Sequence, residues 1–216
     1  MKVIPSVNFF EENTFKEIIP KLELLKKEGA QVIHIDVSDG KFTKALAPFT
    51  PDFFNSALGS LFKFEVHLMV ENPVAYMKTW VNFDNVERFI IHIESDFNVD
   101  EAREFCLKNG KELEFAVGLE GEVEDLIDLS EMAKLTKVLF LAVPPGFSGQ
   151  EFDDSVLEKI RLLKSAYPSV EVFVDGGVNE EVVNRLKDAG TTGVITGSYL
   201  WKSDDVRAAY DKLVNV

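Results

Sequence analysis

The sequence predicts an α/β fold of the (β/α)8 type, a TIM barrel formed by residues 1–216 as a single domain. Eight apolar, β-branched runs alternate with amphipathic stretches, and 216 residues shared among eight units gives 27 per unit, close to the smallest practical size. The runs are almost continuously apolar, as expected for strands covered on both faces. A doubly wound open sheet shares the alternation, but no Gly-x-Gly-x-x-Gly follows the first run, so we favour the barrel.

The strand candidates are short runs rich in Val, Ile and Phe. In chain order they cover residues 2–7, 32–37, 63–70, 88–93, 112–117, 137–143, 170–174 and 193–196. No linker rich in proline, glycine or serine separates them, which supports one domain.

Helices are predicted between the strands, where apolar residues recur at intervals of three and four. They cover residues 15–28, 73–80, 99–108, 123–130, 154–166, 180–189 and 204–213. Gly29 and Gly110 lie within two residues of the ends of two of them, as expected for residues that end helices. The segment 38–60 holds Pro48 and Pro51, so its helix is predicted to be short or weak.

The composition of the chain limits the kinds of molecule that it can bind. The chain carries 23 basic and 37 acidic residues, a net charge of −14, which excludes a generic binder of nucleic acid or of an anionic membrane surface. The N-terminus lacks the apolar core of a secretory signal, and no apolar run reaches the ~18 residues of a membrane helix. Cys106 is the sole cysteine, so no internal disulfide forms. We therefore expect a cytoplasmic protein.

Two histidines and two aspartates are candidate ligands of a divalent metal. His34 and Asp36 are two residues apart in one strand and share a face. His67 lies in the next strand and Asp175 ends the seventh, so all four point toward the mouth of a barrel. Zinc, iron, manganese or cobalt would suit these nitrogen and oxygen ligands. The alternative is that each is an interior polar residue with an ordinary partner, although buried carboxylates without a cation are costly.

Glycine-rich loops after the last three strands predict a phosphate site, because the loops after strands seven and eight of such barrels commonly bind phosphate. The residues are Gly146, Phe147, Ser148 and Gly149 after strand six, Gly176 and Gly177 after strand seven, and Gly197 and Ser198 after strand eight. His92 lies in the fourth strand, and two roles stay open for it: support of the metal ligands, or a purely structural role.

The sequence resembles the ribulose-phosphate 3-epimerase family over essentially its full length. The matching motifs are Pro5-Ser6, His34-Ile35-Asp36-Val37, His67-Leu68-Met69-Val70, Pro145-Gly146-Phe147 with Gly149-Gln150, Asp175-Gly176-Gly177 and Gly197-Ser198. This resemblance implies a barrel of the ribulose-phosphate-binding type. It also implies one divalent metal ion held by His34, Asp36, His67 and Asp175, with Asp36 and Asp175 as the catalytic acid/base pair. Substrate contacts are implied for Ser6, His67 and Met69, and phosphate contacts for the glycine-rich loops.

The reaction implied is the interconversion of D-ribulose 5-phosphate and D-xylulose 5-phosphate, a step of the pentose phosphate pathway. Inverting a carbon beside a ketone requires a base that removes its proton on one face and an acid that delivers a proton on the other. We expect Asp36 to be the base and Asp175 the acid starting from D-ribulose 5-phosphate, with an enediolate between the two transfers. The expected partners are a small phosphorylated ketose and further copies of the chain in a homo-oligomer.

Several positions depart from the family pattern. Ser38 and Leu141 stand where the family usually has methionines that line the cavity, and Pro144 replaces a usual polar residue. Glu65 replaces a usual aspartate, and the loop 118–121 replaces one containing Asn-Pro. These changes leave two alternatives open, a hexulose-phosphate 3-epimerase acting on allulose 6-phosphate and a sugar-phosphate-binding relative without catalysis.

Overall fold

Eight parallel strands close into a barrel in the computed structural model, which describes residues 1–7, 12–47, 50–127 and 135–216. Each strand pairs with its neighbours in sequence, and the last pairs with the first. The predicted fold class is therefore confirmed. The strands are β1 Lys2–Val7, β2 Val32–Ser38, β3 Lys63–Met69, β4 Val86–His92, β5 Glu112–Val117, β6 Lys137–Leu141, β7 Glu171–Asp175 and β8 Gly193–Thr196.

The predicted strand limits agree with the structure to within two residues. β1, β5 and β8 have the predicted bounds. β6 ends at Leu141 rather than at Val143, because Pro144 and Pro145 follow and have no N–H group for a sheet ladder. β7 runs from Glu171 to Asp175, one residue later at each end than the predicted limits, and Asp175 is its last residue.

The helices lie outside the barrel. They are α1 Glu12–Lys27, α2 Pro51–Leu58, α3 Pro73–Trp80, α4 Val99–Lys108, α5 Val156–Ala166, α6 Val183–Ala189, α7 Ser198–Trp201 and α8 Val206–Val214. Residues 123–127 are also helical, and the remainder of the helix predicted over 123–130 lies outside the described residues. α7 has four residues and carries too little periodicity to be predicted. Within the described ranges, no helix has both the length and the apolar character to cross a membrane.

Side-chain caps fix where several helices begin. The cap residues are Thr50, Asn72, Asn98 and Asp205, and each accepts a hydrogen bond from the backbone N–H three residues later. Such a cap replaces a partner that the first turn of a helix lacks. Pro51 and Pro73 occupy the first position of α2 and α3, where a missing N–H costs nothing. The helix in the weak segment 38–60 thus forms with eight residues.

Two apolar clusters hold the barrel together. The larger one fills the layer between the strands and the helices. The smaller one is a plug inside the barrel, formed by Ile90, Ala116, Leu139, Leu141, Phe173 and Ile195 with Ile4 against it. Polar inward-facing residues lie near the two ends of the strands, and those at the carboxyl ends form the site described next.

Candidate active site

The carboxyl halves of β2, β3 and β7 bring together His34, Asp36, His67 and Asp175. One nitrogen or oxygen atom from each lies within 4.8 Å of the others. His34 and Asp36 alternate along β2 with Ile33, Ile35 and Val37, so both side chains point inward. Asp36 and His67 are paired across β2 and β3, which sets their proximity directly. The structure thus places all four predicted ligands in one cluster.

Asp36 is the centre of this cluster. The Ser6 hydroxyl donates to its Oδ2 over 3.0 Å. On the other oxygen, Oδ1 lies 2.9 Å from His67 Nδ1 and 3.2 Å from His34 Nε2. Both imidazole rings are completely buried, so the carboxylate and the two rings are held in a fixed arrangement.

A divalent cation fits these residues. His34 Nε2 is buried and has no hydrogen-bond partner among the described residues, although it lies near the Asp36 carboxylate. An unsatisfied buried imidazole nitrogen is unfavourable unless something else bonds to it. Two imidazole nitrogens and two carboxylate oxygens are suitable ligands for zinc, iron, manganese or cobalt. The donor set and the unpartnered nitrogen therefore both fit a metal ion.

The two aspartates differ in their affinity for a proton, which is low for Asp36 and high for Asp175. Burial disfavours the charge on Asp36, but His34 and His67 together hold the pKa of its carboxyl well below the ordinary range. Burial and the negative charge of Asp36 raise the pKa of Asp175 to about 7. Burial lowers the pKa of His67 to about 4 and also opposes the charge on His34, yet Asp36 and Glu65 raise the pKa of His34 to about 10. The surroundings of His34 are thus strongly negative, which favours a cation.

A pocket opens above this cluster and is lined by Asp36 and Asp175. The predicted substrate-contact residues on its wall are Ser6, Met69, Gly146, Phe147, Ser148, Gly149, Gly176, Gly177, Gly197 and Ser198. His67 was also predicted to contact substrate, and its ring is fully buried next to Asp36. The pocket brings the carboxylates and the glycine-rich loops to one place, while the individual substrate contacts stay predictions.

Comparison with known proteins assigns the chain to a family. Residues 3–201 match the ribulose-phosphate 3 epimerase family. The ribulose-phosphate 3-epimerase of Helicobacter pylori strain J99 is 31% identical over 220 residues, covering 100% of this chain and 98% of the relative. That of Chlamydia muridarum is 30% identical over 189 residues, covering 84% and 81%. The chain belongs to the ribulose-phosphate 3 epimerase family. Its predicted enzyme class, an isomerase, is confirmed.

A solved structure shows the same fold at low sequence identity. The crystal structure of 3-hexulose-6-phosphate synthase from Salmonella typhimurium matches with a TM-score of 0.68 and 12% identity, covering 100% of this chain and 97% of that chain. Because unrelated functions share this barrel, the similarity supports the fold alone.

The glycine-rich loops of this family member are shaped by close packing. Gly177 has a φ of +66°, and a Cβ atom there would lie 2.5 Å from the backbone nitrogen of Phe152. A side chain would therefore be both strained and in collision, so only glycine allows the loop after β7 to take this path. Of the positions that depart from the family pattern, Leu141 and Pro144 line the pocket, and Ser38 is buried at the end of β2.

Sequence reasoning missed a network of charged residues behind His34. Glu65 Oε1 lies 2.7 Å from His34 Nδ1, and its Oε2 accepts from Arg88 and Lys137, each over 3.1 Å. Glu114 contacts the same two cations at 2.7 and 3.2 Å. The signal was available, because these charged residues occupy inward-facing positions of otherwise apolar strands.

His92 lies directly behind His67. The Nε2 atoms of the two rings are 2.9 Å apart, and His92 Nδ1 lies 3.1 Å from Glu94 Oε2. His92 and Glu94 are two residues apart at the end of β4, so the period of a strand could have paired them. The contact with His67 depends on how the strands are placed around the barrel, which the sequence does not specify.

Proposed function

We propose that this family member interconverts D-ribulose 5-phosphate and D-xylulose 5-phosphate at C3, using one divalent metal ion held by His34, Asp36, His67 and Asp175. The observation that carries the proposal is the convergence of these four side chains within 4.8 Å at a pocket that glycine-rich loops also line. The names of the two relatives support a pentulose phosphate as substrate and a place in the pentose phosphate pathway.

The metal ion and the protein have separate tasks. When bound, a divalent cation supplies Lewis-acid stabilisation of negative charge on substrate oxygens. The protein supplies two carboxylates, Asp36 and Asp175, which both line the pocket. Ser6 donates to Asp36 and so keeps that carboxylate oriented. Starting from D-ribulose 5-phosphate, Asp36 removes the C3 proton, and Asp175 delivers a proton to the opposite face of the enediolate. The lowered pKa of Asp36 keeps it ionised, as a base requires, and the raised pKa of Asp175 lets it hold the proton that an acid delivers.

The phosphate group occupies the other end of the pocket in this proposal. Gly149, Gly177 and Ser198 lie on the wall there, and backbone N–H groups can bind a phosphate without a basic side chain. This arrangement suits a chain with a net charge of −14, which offers no general attraction for anions. The predicted exclusion of nucleic acid as a partner rests on the same charge.

A second candidate is a hexulose-phosphate 3-epimerase acting on allulose 6-phosphate. Leu141 and Pro144 on the pocket wall favour it, because they change the lining near the two aspartates relative to the family pattern. A sugar-phosphate binder without turnover is less favoured, because binding alone has no need for two carboxylates of opposite proton affinity.

The test is turnover on a panel of pentulose and hexulose phosphates, with metal analysis of the same preparation and deuterium exchange at C3. Asp36→Asn and Asp175→Asn should each lower turnover by ~10²–10⁴. Asp188→Asn, an exposed aspartate on α6, is the control and should leave turnover unchanged. If the metal-loaded wild-type protein exchanges no C3 proton from any member of the panel, the epimerase function is refuted and the binder becomes the better account.

A further inference from the structure

A line of polar side chains leads from the cluster toward the surface. Asp36 Oδ1 lies 2.9 Å from His67 Nδ1, His67 Nε2 lies 2.9 Å from His92 Nε2, and His92 Nδ1 lies 3.1 Å from Glu94 Oε2. The ring centroids are 5.0 Å apart and the ring planes differ by 27°, which together with the short contact between the Nε2 atoms is compatible with a hydrogen bond in the ring planes. Both rings are completely buried, whereas 33% of the Glu94 side chain is exposed.

The surface end of this line fixes the direction of its hydrogen bonds. The backbone N–H of Gly118 donates to Glu94 Oε1 over 2.7 Å, which leaves Oε2 to accept from His92. Burial opposes the charge on Glu94, but the hydrogen bonds from His92 and from the backbone keep the pKa of Glu94 below its ordinary range, so it is an acceptor at both oxygens. His92 must therefore carry its proton on Nδ1.

The proton position on His92 then determines that on His67. A neutral imidazole with its proton on Nδ1 has a lone pair on Nε2, so His92 accepts from the Nε2–H of His67. His67 is left with a lone pair on Nδ1, the nitrogen that faces Asp36 and the cluster. This arrangement satisfies both outer contacts and leaves His67 Nδ1 and the Asp36 carboxylate as two facing acceptors, which a bound cation satisfies.

The loop that holds Glu94 is itself braced. Lys159 donates to the carbonyl oxygens of Leu119 and Gly121 over 2.5 and 2.6 Å. Gly121 packs against Glu94 so closely that a Cβ atom at this position would collide with Glu94 Oε1. The Phe42 ring packs on His92, with ring centroids 4.8 Å apart. The position of Glu94 is thus set by the loop 118–121, away from the metal ligands.

We propose that His92 and Glu94 are positioning residues that hold His67 in the tautomer with its Nδ1 lone pair directed at the metal. This inference rests on the metal site of the proposed function. Hydrogen bonds to the far nitrogen of a metal-bound histidine commonly fix its tautomer, and their loss typically weakens metal affinity 10–100-fold. Here the carboxylate acts through a second imidazole, with Gly118 holding the carboxylate in turn.

Glu94→Gln is the decisive variant because it keeps the shape of the side chain and reverses the direction of its hydrogen bond with His92. If the amide oxygen continues to accept from Gly118, the amide NH2 faces His92 Nδ1 and requires a lone pair there. His92 then carries its proton on Nε2, where it points at His67 Nε2 and drives the proton of His67 onto Nδ1. That proton occupies the position needed for the metal. Glu120→Gln, which removes an exposed charge from the same loop, is the matched control.

The first measurement is the Zn²⁺ dissociation constant of the full-length protein, obtained by competition with a chromophoric chelator. We expect Glu94→Gln to bind Zn²⁺ 10–100-fold more weakly than wild type, and Glu120→Gln to bind within about twofold of it. Wild-type affinity in a folded Glu94→Gln variant overturns the inference alone and leaves the proposed metal site intact. Wild-type protein that binds no Zn²⁺ overturns the proposed metal site and the inference together.

The second measurement is the ¹⁵N spectrum of the metal-free wild-type protein, in which only three histidines contribute and no metal fixes the tautomer of His67. It needs no variant, so it decides the matter even if Glu94→Gln does not fold. We expect His92 to be protonated on Nδ1 and His67 on Nε2. A His92 proton on Nε2 overturns the inference. A purely structural role for Glu94 would lower the Tm of Glu94→Gln without changing either tautomer or the relative affinity for Zn²⁺.

Discussion

Replacing Glu65 by glutamine should destabilise the barrel far more than the same change at a neighbouring partner of Arg88. Glu65 has no exposed side-chain surface and contacts His34, Arg88 and Lys137. Glu65→Gln leaves Glu114 as the buried carboxylate that both cations share, since Glu112, the other partner of Arg88, is exposed. A buried charge that loses its partner is costly because neither water nor an opposite charge stabilises it.

The expected cost follows from burial. Removing one partner from a buried ion pair costs ~3–5 kcal/mol. Unfolding entropy is about 2.1 cal/mol/K per residue, which for 216 residues gives about 450 cal/mol/K. The Tm should therefore fall by about 7–11 °C. Glu112 also contacts Arg88, but its side chain is 66% exposed, so Glu112→Gln should cost at most ~1 kcal/mol, or about 2 °C.

The assay is thermal unfolding of both variants in the metal-free state, supported by urea titrations. Lys137→Met, combined with Glu65→Gln, removes one of the two buried cations that Glu65 contacts and retains most of the side-chain volume. We expect the double variant to be ~1–3 kcal/mol more stable than the sum of the two single changes. Equal Tm values for Glu65→Gln and Glu112→Gln would refute the reasoning, since burial is what distinguishes them.

Three further predictions concern substrate and pH. Ser198→Glu should raise KM ~100-fold or more, because its charge faces the substrate phosphate at close range; Ser169→Glu, before β7 at the opposite end of the barrel, should leave KM unchanged. Ser38→Met with Leu141→Met should shift the ratio of kcat/KM values toward ribulose 5-phosphate and away from a hexulose phosphate. Burial raises the pKa of Glu114 from 4.5 to about 7, so its ionisation disfavours folding as pH rises through this window. The stability of wild type relative to Glu114→Gln, measured by urea unfolding, should fall by ~3 kcal/mol between these pH values.

The fold was largely predictable because strand burial leaves a simple pattern. Runs such as 2–7 and 193–196 were located to the residue, since few other arrangements bury β-branched residues on both faces. The ends of β6 and β7 were less accurate, because pairing between these two strands and, for β6, the two prolines that follow decide where they end. The single domain, the homo-oligomer and the cytoplasmic location stay predictions.

The candidate site was predictable where one strand carries two functional residues or where a motif matches a known family. His34 with Asp36 met both conditions, and the structure brings them to His67 and Asp175. The partners behind them were not predictable in the same way. Glu65 reaches His34 only because adjacent strands align these two residues across the barrel. Such contacts depend on the register between neighbouring strands, which the residue pattern of a single strand does not reveal.

Comparing Glu65→Gln with Glu112→Gln in the presence of Zn²⁺ separates two tasks of Glu65. A ligand that binds only the folded state raises stability in proportion to the logarithm of its affinity, so each tenfold loss of affinity removes ~1.4 kcal/mol, or about 3 °C here. If Glu65 also orients His34 for the metal, the Tm difference between the two variants must widen by at least that amount when Zn²⁺ is added. If Glu65 serves only to neutralise Arg88 and Lys137, the difference stays constant. Two unfolding curves for each variant thus distinguish a carboxylate that merely balances buried charge from one that prepares a ligand.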